Sequence, residues 1–315
     1  MQNYAHNWIA LLLLIYRAYS GITGLTKFFR SSYKKAWYSP STNPIKSQHI
    51  AIEMNPLLHS NVRYCKSPAH FVAKVCSSLD HLLEEINPTE TLIFVFDGPA
   101  PFAKLQTQRN RRESSPESSL LTPGTDFMDS MCDLVLFYIL QRIKRPKFQN
   151  IKVYISGSRC PGEGELKIVN WVNTIMPNPT DSLIVCGTDS DLLIQAINFP
   201  SVDNLIIYQY GSDNSNMFCE MSMLTKEIGK GILSLSSADD SNKNISKVPM
   251  PKNKTMDYFK SGYFSSKQFR LDIAFLFIIH GNDYLPKLRG VNFGRSLYVY
   301  SEVIKYTLEI YIFLN

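Results

Sequence analysis

The sequence predicts an α/β fold with a mostly parallel central sheet and helices on both faces. Short apolar runs typical of buried strands, at Leu92–Phe96, Leu183–Cys186 and Leu205–Tyr208, alternate with longer segments of helical periodicity such as Thr125–Leu140. Strands that alternate with helices favour right-handed crossovers and therefore parallel pairing. With 315 residues, 44% of them apolar, the chain can bury a full hydrophobic core.

The remaining elements extend this pattern. Residues 24–33 predict a short helix that packs Phe28 and Phe29 into the core, and Gln48 begins a strand that ends at Glu53. A helix over Phe71–Ile86 crosses to the Leu92–Phe96 strand, and Ile151–Ile155 reads as a further strand. We expect one domain over residues 24–315, with a flexible insertion at about 228–255, where Ser, Asn, Lys and Pro are frequent.

Charge and cysteine content narrow the class of protein. The 33 basic and 27 acidic side chains give a net charge of +6, which permits a polyanionic partner without requiring one. The six cysteines show neither a CxxC pair nor metal-finger spacing, so we expect reduced thiols and a cytoplasmic or nuclear protein. The apolar run Trp8–Tyr16 is too short to span a bilayer, so we expect no stable membrane span. Residues 1–23 are interpreted as an N-terminal extension of uncertain role, with organellar targeting left open.

Acidic side chains recur where the predicted strands end. Four of them follow strands directly, two lie in a Gly-bracketed turn at the head of a helix, and one ends the apolar segment Ile273–Ile279. Because the carboxyl ends of parallel strands meet at one edge, we expect all seven to converge. They are Glu53, Asp97, Glu163, Glu165, Asp189, Asp191 and Asp283. Such a cluster repels itself unless hard divalent cations bind, and an all-oxygen ligand set favours Mg²⁺ or Mn²⁺ over zinc. Two ions roughly 3.5–4 Å apart could activate a water and stabilise a phosphodiester leaving oxygen.

Each of these residues also has an ordinary structural interpretation. A single aspartate at a strand end is more often a turn former or helix N-cap than a ligand. Glu163 and Glu165 could be first-turn acids that the helix dipole favours. His59, which follows the Glu53 strand and is also a candidate for the site, could be a structural histidine. The ordered recurrence of the acids along the chain favours a functional site.

A basic stripe follows the second of these carboxylates. After the turn Gly98–Pro101, the donors Lys104, Gln108, Arg111 and Arg112 have the spacing i, i+4, i+7 and i+8. On a helix this spacing places all four on one face, where they could bind phosphate. A solvated basic helix is the alternative interpretation. A carboxylate beside phosphate-directed donors is the combination that a metal-dependent nuclease needs.

Several segments together resemble the Xrn-type 5′→3′ exoribonucleases, relatives of flap endonucleases with a PIN-like core. The resemblance runs from about Gly24 to about Val291. It is carried, in order, by GLTKFFR, IEMNPLLH, FDGPAPFAKLQTQRNRR, LTPGTDFM, PGEGELKI, GTDSDLL and GNDYLP. It implies magnesium-dependent 5′→3′ hydrolysis of 5′-monophosphorylated single-stranded RNA to mononucleotides.

The resemblance also implies roles for individual residues. It assigns metal binding to the seven carboxylates, and recognition of the 5′-phosphate to Lys104, Gln108, Arg111 and Arg112. Asn55 belongs to the implied RNA-binding set, and His59 would stack on the 5′-terminal base.

Four departures from the family pattern qualify this expectation. Glu53 stands where the family has aspartate, and Leu166 where it usually has histidine. The segment Glu113–Leu121 is shorter than its counterpart. The family's second conserved region is absent, which leaves open a truncated gene product, a fragment, or one half of a split enzyme whose other half a second chain supplies. Two alternatives stay open: a catalytically impaired RNA-binding remnant or truncated fragment, and a structure-specific DNA flap nuclease.

Overall fold

A seven-stranded sheet forms the centre of the fold in the computed structural model, which describes residues 21–41, 43–62, 65–102, 104–105, 109, 120–210, 216–238, 266–282 and 284–314. Side chains are described for these residues except 236–238 and 305–314. The strands are β1 (Trp37–Tyr38), β2 (Ile45–Glu53), β3 (Ile86–Val95), β4 (Lys152–Ser156), β5 (Leu183–Cys186), β6 (Leu205–Gln209) and β7 (Met217–Glu220).

The strand order β1-β7-β6-β5-β2-β3-β4 confirms the predicted mostly parallel sheet. The five strands from β6 to β4 pair in parallel, and β7 and β1 add an antiparallel edge. The chain leaves β2 toward β3 and β4 on one side and later returns to β5 and β6 on the other. The strand order therefore reverses at β2, and in open α/β sheets such a point is where ligands bind, beyond the carboxyl ends of the strands.

Helices cover both faces of the sheet, as predicted. Their bounds are α1 (Leu25–Ser32), α2 (Met54–Val62), α3 (Pro68–Glu85), α4 (Asp126–Arg142), α5 (Gly164–Thr174), α6 (Ser190–Ile197), α7 (Met221–Ala238), α8 (Lys267–Ile278) and α9 (Phe293–Leu314). In the described part of the chain, no helix combines the length and the apolar character needed to cross a bilayer.

Alternation along the central strands separates two apolar cores. In β2, Ala51 packs on the face covered by α1 and α5 to α8, whereas Ile50 and Ile52 pack on the face covered by α2, α3 and α4. In β3, Ile93 and Phe94 divide between the same two cores. Because successive strand side chains point to opposite faces, continuously apolar strands are buried on both sides, which holds their ends rigidly in place.

Side-chain caps set where several helices begin. Ser67, Thr125 and Ser266 each precede the first helical residue, and each hydroxyl accepts a hydrogen bond from the backbone N–H three residues later. Such a cap satisfies one of the N–H groups that the first turn leaves without an intrahelical partner.

Two predicted boundaries were wrong in detail. The extension was expected to reach residue 23, but Ile22 is buried in the core beside α6. The insertion was expected from residue 228, but α7 continues to Ala238 because Ile228 and Ile232 bury one face of it. The rest of the expected insertion, 239–255, and the apolar run Trp8–Tyr16 lie outside the described residues. All six cysteines are free thiols, as predicted.

We predict that Gly98→Ala destabilises the protein, because the backbone at Gly98 touches another loop. A Cβ at this position would lie 1.7 Å from the carbonyl oxygen of Cys160, and the Gly98 N–H donates to the Gly162 carbonyl at 2.8 Å. Since neither backbone can yield easily, we expect the free energy of unfolding to fall by about 2–4 kcal/mol in urea titrations.

Gly294→Ala is the matched control, because a Cβ there meets nothing closer than 3.8 Å and the residue lies in α9. It should be neutral or stabilising by up to about 1 kcal/mol. Equal effects of the two substitutions would contradict the close approach at Gly98.

Candidate active site

Six predicted carboxylates converge at the carboxyl edge of the parallel strands. They are Glu53, Asp97, Glu163, Glu165, Asp189 and Asp191, here called the acidic ring. The first ends β2, the second follows β3, the next two begin α5 and the last two begin α6. The side chains are close enough to perturb one another electrostatically, with Glu53 facing Glu165, Asp189 and Asp97. The predicted convergence is therefore present in the described part of the chain.

Two glycines make room for Glu53 at the centre of the ring. A Cβ on Gly164 would lie 2.9 Å from Glu53 Cγ, and a Cβ on Gly187 would lie 2.7 Å from Glu53 Oε2. The backbones of α5 and of the loop after β5 therefore approach this side chain more closely than any other residue type would allow. The extra methylene of glutamate occupies the space that the two glycines leave.

Backbone and amide hydrogen bonds fix Asp97. Its N–H donates to Asn55 Oδ1 at 2.9 Å, and the Gly164 N–H at the start of α5 donates to Asp97 Oδ1 at 2.8 Å. Asn55 is buried and in this structure orients the strand end that carries Asp97. Its predicted contact with RNA stays a prediction.

The start of the described chain is tied to the ring through α6. The Ile22 N–H donates to Asp191 Oδ1 at 3.0 Å, and Ser190 Oγ donates to the Ile22 carbonyl at 3.1 Å. Gly21 has φ of +65°, and a Cβ there would lie 2.5 Å from Ser190 Oγ. Asp191 Oδ1 is therefore a structural acceptor that holds the backbone at Ile22.

Burial makes three carboxylates of the acidic ring costly to ionise. Burial, together with repulsion from neighbouring carboxylates, raises the pKa of Glu53 well above its ordinary value. The same two causes raise the pKa of Glu165 to about 8. Burial also raises the pKa of Asp97, although the hydrogen bond from Gly164 acts in the opposite direction.

Lys104 places a positive charge inside the ring. Its ammonium lies 2.6 Å from Glu163 Oε1, and only 7% of the residue is exposed. The Tyr284 hydroxyl donates to the other oxygen of Glu163 at 2.9 Å, and the ammonium lies 5.7 Å from the centre of the Tyr284 ring. Burial, followed by the charge of Glu163, raises the pKa of Tyr284, which keeps the hydroxyl protonated and able to donate. Lys104 therefore partly neutralises the acidic edge.

Some predicted residues cannot be placed. Asp283, Gln108, Arg111 and Arg112 lie outside the described residues. Lys104 and Arg109 are helical, as the spacing predicts, and His59 is half-buried near the end of α2. The phosphate-binding face and the base-stacking role of His59 stay predictions.

Sequence reasoning missed two parts of the site. Tyr284 lies directly after the predicted ligand Asp283, so its position in GNDYLP was an available signal. The second is a cavity of about 260 Å³ between the first turn of α1, including Lys27, and the loop that carries Asp189. No periodicity or spacing in the sequence brings Lys27 near Asp189, because the two are joined only through the packing of α1 on α6.

The donor set of the ring fits a hard divalent cation. Every ligand atom that the six residues offer is a carboxylate oxygen, and Glu53 Oε2 is buried with no hydrogen-bond partner among the described residues. A buried carboxylate oxygen without a partner is unfavourable unless the group is protonated or binds a cation. The carboxylates of the ring are therefore the candidates for holding such an ion.

A family model and curated relatives of one kind match this chain. The family model described as "XRN 5'-3' exonuclease N-terminus" matches residues 20–117 and 113–208, which together exceed half of the chain. 5'-3' exoribonuclease 2 of Schizosaccharomyces pombe is 24% identical over 314 residues, covering 80% of this chain and 31% of the relative. 5'-3' exoribonuclease 1 of the same organism is 30% identical over 54% of this chain and 16% of the relative. This chain thus spans less than a third of either relative.

Among solved structures, the catalytic core of Rad2 in complex with DNA substrate is similar over 90% of this chain and 67% of that chain. The sequence identity is 14% and the TM-score is 0.48.

We predict that the metal-free protein loses stability as pH rises. The folded-state pKa of Glu165 is about 8, against an ordinary value of 4.5, so between these values the folded state binds more protons than the unfolded state. Stability is therefore full at low pH and falls toward pH 8, by at least about 1 kcal/mol. Urea titrations in EDTA at several pH values measure this slope.

Glu165→Gln should flatten the slope, because the amide carries no charge at any pH. Glu84→Gln is the matched control, since Glu84 is exposed on α3 and outside the ring. A slope that is unchanged in Glu165→Gln would contradict the electrostatic cost assigned to the acidic ring.

Proposed function

The chain belongs to the XRN 5'-3' exonuclease family, and from that membership we propose that it is a magnesium-dependent 5′→3′ exoribonuclease. Its substrate would be single-stranded RNA with a 5′-monophosphate, which it would hydrolyse to mononucleotides. The observation that carries the proposal is the acidic ring with the Lys104 ammonium inside it.

Magnesium, for which manganese can substitute, is the proposed cofactor because the ring offers only carboxylate oxygens. The carboxylates of the acidic ring, Glu163 among them, would share the cations together with Asp283, and their mutual repulsion would be relieved on binding. Bound as a pair, such cations supply an activated water and stabilise the leaving oxygen of a phosphodiester.

The residues of the chain itself would position the RNA. The buried Lys104 ammonium would donate to the terminal phosphate, with Gln108, Arg111 and Arg112 expected on the same helical face. In a site that excludes water, such charge-assisted hydrogen bonds are stronger than at the surface. His59 would stack on the terminal base, a contact that tolerates any base and suits stepwise digestion.

An RNA-binding protein with impaired catalysis is the second candidate. The position of Glu53 favours it, because magnesium tolerates little error in ligand placement and the longer side chain shifts a central carboxylate. The two candidates share the phosphate pocket and differ only in turnover.

The decisive test compares the wild type with Asp189→Asn/Asp191→Asn. Each is incubated with 5′-monophosphate and 5′-hydroxyl single-stranded RNA, and with a DNA flap, in Mg²⁺ and in EDTA. We expect magnesium-dependent release of mononucleotides from the monophosphate RNA alone, and its loss in the double variant. Selective binding without cleavage would support the second candidate, and preferred cleavage of the DNA flap would overturn both.

A second prediction concerns selectivity for the RNA end. Lys104→Met removes the buried ammonium while keeping a similar volume, so the preference for monophosphate over hydroxyl ends should fall. A hydrogen bond to a charged group is worth about 1.5–3 kcal/mol, so the ratio of the two kcat/KM values should drop roughly tenfold or more.

Arg109→Met is the control for this variant. It removes a neighbouring positive charge from an exposed residue that is not part of the predicted phosphate-binding stripe. If Arg109→Met lowers the ratio as much as Lys104→Met does, general charge rather than a phosphate pocket determines the preference.

A further inference from the structure

A second group of possible metal ligands lies away from the acidic ring, at the middle of β2 and of β3 and beside the start of β5. His49 lies in β2, Glu90 in β3, and Asp181 directly before β5, so the three residues come from three adjacent strands. One ligand atom from each lies within 4.8 Å of the other two. We call this group the staple triad.

Gln48, at a register shift in β2, forms hydrogen bonds to two members of the triad. The pairing of β2 with β3 shifts register between Ser47 and His49. The Gln48 side-chain amide then donates to Glu90 Oε1 and to Asp181 Oδ1, each at 3.1 Å, while its oxygen accepts from the Ser182 N–H at 2.9 Å. These bonds engage one oxygen of each carboxylate and bring two negative groups together around one neutral amide.

The imidazole of His49 enters this group from a fully buried position. Its exposure is 0%, and Nε2 lies 3.1 Å from Asp181 Oδ2. Nδ1 is buried and has no hydrogen-bond partner among the described residues. A neutral imidazole that binds a cation through Nε2 carries its proton on Nδ1. A cavity of about 240 Å³ lies on the Glu90 side of the triad, with Glu90, Lys152 and Trp171 among its lining residues, and the Trp171 ring lies edge-on to His49. An ion can approach the triad from this side.

The spacing of the His49 and Asp181 ligand atoms suits a small transition-metal ion. Bonds of about 2.0–2.1 Å to two atoms 3.1 Å apart make an angle of about 100°, close to tetrahedral. Glu90 is exposed, so its side chain can move to complete the set. One imidazole with two carboxylates selects zinc-class ions, whereas magnesium and calcium prefer oxygen ligands alone.

We propose that His49, Glu90 and Asp181 form a structural zinc-class site that cross-links the middle of β2 and of β3 to the start of β5. Those three strands deliver Glu53, Asp97 and Asp189 to the acidic ring at their carboxyl ends. The site would therefore fix the relative register of the strands on which the ring depends. It is chemically distinct from the ring, because it contains an imidazole and the ring does not.

The experiment measures Zn²⁺ binding by equilibrium dialysis of the full chain in excess Mg²⁺, which occupies the ring. The wild type and Asp189→Asn/Asp191→Asn should each bind one Zn²⁺, with a raised melting temperature. Glu90→Gln, which changes only an exposed side chain, should weaken the affinity at least tenfold without altering the melting temperature of the zinc-free protein. His49→Gln should abolish binding.

His81→Gln is the matched control, because it removes an exposed imidazole on α3 and should bind Zn²⁺ like the wild type. Substitution with Co²⁺ separates the triad from the free cysteines: visible d–d bands without a thiolate charge-transfer band identify nitrogen and oxygen ligands. Absent binding, thiolate bands, or an affinity unaffected by both Glu90→Gln and His49→Gln would overturn the proposal and leave His49 and Asp181 as a simple hydrogen-bonded pair. Activity on RNA does not enter this test, so its outcome is independent of the proposed function.

Discussion

The burial of like charges at one edge of the sheet is the constraint on which the structure of the site depends. Glu53, Asp97 and Glu165 are removed from water beside one another, which favours their protonated forms. The surrounding elements compensate only in part, through the Gly164 N–H and the Lys104 ammonium. Without a cation, a protein with this edge is therefore less stable than its apolar cores would allow, and a cation that bound here would contribute to its folding free energy.

The parallel sheet holds the mutually repelling carboxylates together because its central strands are rigidly packed. Strands β2, β3 and β5 are buried on both faces, so their ends cannot separate to relieve the repulsion. Away from this edge, the middle of β2 and of β3 and the start of β5 are joined through Gln48, which bonds to Glu90, Asp181 and Ser182. Apolar residues fill the strand segments between these polar contacts and the acidic ring.

The sequence predicted the parts of this arrangement that depend on local pattern. Glu53 and Asp189 follow apolar runs that predict strands. The alternation of strands and helices predicts parallel pairing, which brings the carboxyl ends of those strands to one edge. The pairing of Lys104 with Glu163 was not predictable, because 59 positions separate them and only the docking of the turn at Gly98 on the loop before α5 brings them together. The shift at Gln48 was equally hidden, since a register irregularity depends on the partner strand rather than on the residue itself.

Lys104 connects the two halves of the proposed function. The family resemblance implies that it binds the terminal phosphate, whereas in the structure its ammonium lies 2.6 Å from Glu163, an expected cation ligand. One ammonium cannot give its full charge to both groups, so a cation that takes over Glu163 makes Lys104 available to the phosphate. The Tyr284 hydroxyl donates to the second oxygen of Glu163 and would keep that carboxylate oriented if such an exchange took place. Under the proposed function, cation binding and recognition of the RNA end are therefore coupled through one carboxylate, and a metal-free protein would be expected to bind 5′-phosphate weakly as well as to cleave poorly.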